Sequence, residues 1–63
     1  MDAEWEHLVL VTLKGITHDE AEAHALRGRM HEDLAIVYAD WKLGGESSEN
    51  VAALIARMAE RYL

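Results

Sequence analysis

Four histidines are the side chains of this 63-residue chain whose spacing best suits chemistry. Glu20 and His24 are four residues apart and His24 and His31 seven, so on a helix they share a face, with Arg27 among them and Tyr38 further along. Glu4 and His7 add one Glu-x-x-His pair in the first segment, the spacing with which carboxylate-bridged di-iron bundles hold their metals. Such a centre needs two of these motifs and two further inward glutamates. One chain supplies a single copy, and a symmetric dimer would be needed to double it. Arg27, in the middle of the cluster, repels a cation. The expectation is therefore solvated His–Glu pairs with no metal and no cofactor. A metal-binding helical dimer using Glu4, His7, Glu20, His24 and His31 stands as the alternative.

No other catalytic arrangement is present. Cysteine is absent, which removes disulfides, thiolate ligands and a thiol nucleophile together. Ser47 and Ser48 stand at a helix start, where a hydroxyl caps free amides. Gly44-Gly45 lacks the lysine and spacing of a phosphate loop, and His31-Glu32 lacks the second histidine of a zinc-protease helix. No enzyme is expected.

Twelve acids against six bases give a formal charge of −6, the wrong sign for a nucleic-acid or anionic-membrane binder. The opening residues, MDAEWE, are acidic where a secretory signal is basic. The longest apolar run, Leu8–Leu13, is interrupted by Thr12 and far short of the roughly 20 residues of a membrane span. A single domain over residues 1–63, cytoplasmic and off the membrane, is expected.

The elements that must position these residues are read from periodicity. In the third segment Val51, Leu54, Ile55, Met58 and Tyr62 recur at helical spacing behind a Ser47 or Ser48 cap. In the second, Thr17 and Glu20 have the capping-box arrangement, and Ala23, Leu26, Met30, Leu34, Val37 and Trp41 fall on one line. Gly44 is placed to stop that helix after Leu43 in a left-handed conformation. The competing reading ends a short helix near Gly28 and continues as a strand through residues 34–43. In the first segment Trp5, Leu8, Val9, Thr12, Leu13 and Ile16 fit a helix face capped by Asp2, though residues 8–13 also read as a buried strand. The fold predicted is all-α, three antiparallel helices (short, long, medium), with an α+β fold of one or two strands as the alternative.

At 1.5 Å per residue the central helix would be about 39 Å long and its neighbours about 18 and 24 Å, so they would lie end to end along it. That leaves an open layer which a homodimer would close into a bundle. A second apolar line, Ala21, Ala25, Gly28, Ala35 and Ala39, with Ile36 and Leu43 beside it, lets another helix approach closely. Leu10 and Val11 add unmatched apolar surface. These nine residues are the candidate partner or dimer interface. Trp5 and Trp41 read as core anchors, with a binding hot spot as the sharper alternative.

The ending GGESSENVAALIARMAERYL resembles the last helix of ribbon-helix-helix repressors and antitoxins, which would imply a DNA-binding dimer with a ribbon before Lys14. The middle segment is too long for that fold, and the ribbon has one base where DNA contact needs several. The helix–Gly–helix pattern of residues 5–31 resembles small anti-sigma domains, but the zinc-binding cysteines are absent. No family is assigned from either. The expectation is a small acidic protein-interaction module, a regulator or inhibitor of the phage, mobile-element or antitoxin kind, with a homodimer as its working form.

Overall fold

A computed structural model describes residues 2–63. The chain forms α1 (Ala3–Thr17), α2 (Glu20–Arg29), α3 (His31–Lys42) and α4 (Ser48–Ala59), closed by a 3₁₀ turn at Glu60–Tyr62. No strand is present among the described residues, so the alternative strands at residues 8–13 and 34–43 are not formed.

Each start follows from a side chain that takes up free amides. Asp2 accepts from the Glu4 N–H at 3.0 Å, and Ser47 accepts from the Asn50 N–H at 3.2 Å. At the second start the expected Thr17 capping box is not used. Asp19 caps α2 instead, its Oδ1 taking the Ala21 and Glu22 amides at 2.9 and 3.3 Å, while the Thr17 hydroxyl donates to the Asp19 carbonyl at 3.0 Å. α1 runs through Gly15 and stops at His18, whose φ of 58° turns the chain out of the helix.

The long central helix is two helices. Met30, at φ −91° and ψ 10°, ends α2 and starts α3, its N–H still bonding to the Leu26 carbonyl at 3.0 Å and its carbonyl taking the Leu34 N–H at 2.8 Å. Charges suit the break: Arg27 and Arg29 close α2, and Glu32 and Asp33 open α3. A helix of about 39 Å would overrun the longest dimension of the molecule, which measures 30 × 22 × 20 Å. The end-to-end, three-helix layer is therefore replaced by four helices around one centre. α1 packs chiefly on α2 and α4, and α3 on α4.

The predicted faces nevertheless point inward. α1 buries Trp5, Val9 and Leu13, and α4 buries Val51, Ile55 and Ala59. Ala23, Leu26, Met30, Leu34 and Val37 continue the core across the bend, and Trp41 is half-buried at its end.

α3 ends at Lys42, and the left-handed residue is Gly45, at φ 69°, rather than Gly44. Gly44 is required for a different reason: a methyl group there would meet the Asp40 carbonyl oxygen at 2.7 Å. Gly28, by contrast, has nothing within 4 Å of where a Cβ would stand. Gly28→Ala should therefore raise the unfolding free energy by about 0.5–1 kcal/mol through better helix propensity. Gly44→Ala should lower it by more than about 1 kcal/mol through the clash. Urea melts of the two variants check both signs, and a destabilised Gly28→Ala would mean that another helix seats against α2.

Candidate functional site

Two surfaces carry the residues singled out by spacing. The first is a cleft of about 280 Å³ between α1 and α2, lined by His7, Leu10, Val11, Lys14, Glu20, Ala23 and His24. The α1 members recur at i, i+3, i+4 and i+7 and the α2 members at i, i+3 and i+4, so each helix gives one continuous face. Leu10 is half-buried on the floor and Val11 is 55% exposed.

The cleft brings together three members of the histidine–glutamate cluster: His7, Glu20 and His24. It does not bring in Glu4, exposed on α1, or His31, which the bend at Met30 carries onto α3. Among the described residues no three His, Cys, Asp or Glu side chains converge as a metal site.

Arg27 is not a free charge. Its Nε donates to Glu6 Oε2 at 2.7 Å, and its Nη2 donates to the other carboxylate oxygen, a bidentate pair joining α2 to α1. Both side chains are largely covered, at 19% and 32% exposure. The Arg27 guanidinium holds the Glu6 carboxyl below its usual range, and Glu6 in turn raises the Arg27 pKa. Glu6 was not among the residues singled out by sequence, and a partner 21 positions away leaves no local pattern to read.

The second surface is the outer face of α3. Ile36 is 67% exposed and Leu43 86%, with Ala39 exposed between them and Ala35 exposed beside Ile36. Glu32 and Asp40 are exposed on the same side, at i−4 and i+4 from Ile36. Ala21, Ala25 and Gly28 also face solvent on α2, so the predicted second apolar line lies outward throughout, but the bend divides it into two patches. Beside α3 lies a wider cleft of about 410 Å³ bounded by Asp40, Glu46, Asn50, Leu54 and Arg57.

Other candidates are absorbed by the fold. Trp5 is fully buried, its ring centroid 5.2 Å from Tyr38 and 5.5 Å from Trp41, which makes it a core anchor. The Lys42 ammonium lies 5.3 Å from the Trp41 ring and pairs with Asp2 at 2.6 Å, lowering the Asp2 pKa and raising that of Lys42. Asp33 accepts the Tyr62 hydroxyl proton at 2.5 Å, a bond that raises the tyrosine pKa. Ser47 caps α4 as expected, and Ser48 accepts from Trp41 Nε1 at 3.3 Å.

No protein-family model, curated protein or solved structure matches the chain. Among the described residues no helix is long and apolar enough to cross a membrane.

The Glu6–Arg27 pair sets an acid-side dependence. Because the folded carboxyl titrates below its ordinary value of 4.5, its stabilisation is present above that pH and lost as pH falls through the folded pKa. A double-mutant cycle with Glu6→Gln and Arg27→Met should give a coupling of about 1 kcal/mol at neutral pH that shrinks as the pH is lowered well below the ordinary carboxylate value. Coupling of the same size at neutral and low pH would show that the contact is not ionic.

Proposed function

We propose that this chain is a small acidic protein-binding module, a regulator or inhibitor that acts by docking on another protein, and that the outer face of α3 is its docking surface. The observation that carries this reading is the exposure of Ile36 and Leu43. Both stand outside the core that Leu34, Val37 and their neighbours form. Large exposed side chains of this kind on one helix face are typical of helix-to-partner contacts. Glu32 and Asp40 lie among them, within a chain of net charge −6. The chemistry that fits is a basic partner presenting apolar side chains between lysines or arginines. Opposite charge would steer its approach, and the two apolar residues would supply most of the affinity.

The test is a comparison of wild-type protein with the double variant Ile36→Glu/Leu43→Glu as baits in an extract of the source cells. Since both positions are solvent-exposed, the variant should keep the helical circular dichroism of the wild type. A basic protein retained by the wild type should then bind the variant at least roughly thirtyfold more weakly, the loss expected for about 2 kcal/mol at two anchor residues. Equal binding by both baits would remove α3 as the docking face. Purified partner and bait, titrated at low and high salt, should also show a slower association at high salt.

A further inference from the structure

Resting on the reading that the chain works by protein association, we infer that the α1–α2 cleft receives a second copy of this chain, docked across a twofold axis with the two α1 helices antiparallel. The first argument is charge. Two copies at −6 repel each other over most of their surface, and the α3 face adds Glu32 and Asp40 at the point of approach. The cleft is locally balanced: Lys14 offsets Glu20, and the remaining lining is Leu10, Val11, Ala23 and two histidines. It is therefore a surface that like-charged copies can bring together at little electrostatic cost, and one with little attraction for a strongly basic partner.

The second argument is polarity along the cleft. Because α1 and α2 are joined by the turn at His18 and Asp19, Lys14 and Glu20 lie at the turn end, and His7 and His24 lie at the far end. A twofold axis between Leu10 and Val11 reverses one copy over the other. Leu10 then faces Val11 of the second copy, and His7 faces Lys14 of the second copy. Glu20 meets the end that carries His24. An imidazole carries both an acceptor and a donor nitrogen, so His7 can accept a hydrogen bond from the second copy's Lys14 and His24 can donate one to its Glu20. Every contact occurs twice, as an isologous interface requires.

Size sets the strength. A standard interface covers about 800 Å² per partner, roughly a fifth of this chain's 4129 Å². The cleft lining exposes far less, so the dimer should dissociate on dilution.

Light scattering across a dilution series tests this. The mass should rise from 7.1 kDa towards twice that value as concentration increases. Val11→Glu, at a position more than half exposed, should keep the fold and remain monomeric throughout. Glu20→Lys and His24→Glu should each weaken association at least tenfold. Their equimolar mixture should recover it, because the new lysine of one then meets the new glutamate of the other. A wild-type chain that stays monomeric up to about 1 mM would overturn the proposal. So would a dimer that survives Val11→Glu, or a mixture no better than its components. The Ile36→Glu/Leu43→Glu variant should dimerise normally. Loss of partner capture by that variant, alongside a monomeric wild type, would leave the α3 docking reading standing and remove this one.

Discussion

The bend at Met30 is the constraint on which the rest of this structure depends. A straight central helix of about 39 Å would project beyond neighbours of about 18 and 24 Å and leave part of its apolar line uncovered. Turning the chain at one buried residue lets α2 pack on α1 and α3 on α4, so both halves of the central segment face the same centre. Met30 suits the position: its side chain is unbranched and adaptable, and its backbone is the C-cap of one helix and the N-cap of the next. The ladder is not abandoned there, since its amide and its carbonyl both stay bonded.

Charge does its structural work at the ends and seams of the helices. Glu6–Arg27 fastens α1 to α2, and Asp2–Lys42 fastens the start of α1 to the end of α3. Both pairs join segments distant in sequence, so each favours closure of the bundle rather than formation of any one helix. Asp19 accepts locally at an N-cap, and Asp33 accepts from the Tyr62 hydroxyl 29 positions away. Several of the remaining acids stay exposed, and they give the surface its sign.

The apolar period was the legible part of the fold. The line from Ala23 to Val37 is buried as its spacing predicted, as are Val51 and Ile55 of α4, where Leu54, Met58 and Tyr62 are half-buried and Ala59 joins the core; helix at residues 8–13 follows the 3.6 period rather than the β-branched composition. The bend was not legible, because a break that keeps its hydrogen bonds preserves the periodicity on both sides and needs no proline. Caps were half legible: Asp2 stands alone at its helix start, the adjacent Ser47 and Ser48 left the α4 cap open between them, and Thr17 and Asp19 compete, with Asp19 taking both amides. In the cleft, His7, Glu20 and His24 could be nominated from spacing, but His31 could not be excluded, since its removal follows from the bend. Glu6 became visible only when α1 and α2 were packed together.

Both tryptophans belong to one cluster. Trp5, Tyr38 and Trp41 lie with ring centroids 5.2 to 6.3 Å apart, tying the first turns of α1 to the last turns of α3, where Ser48 reaches Trp41 from the start of α4. The intrinsic fluorescence of this protein is therefore a reporter of one corner. It follows the joining of the chain's beginning to its middle and is nearly blind to the C-terminal turns of α4. Backbone dichroism averages over all four helices. Superimposed fluorescence and dichroism transitions would mark one cooperative unit, and an earlier dichroism change would mark fraying that starts at the C-terminal end.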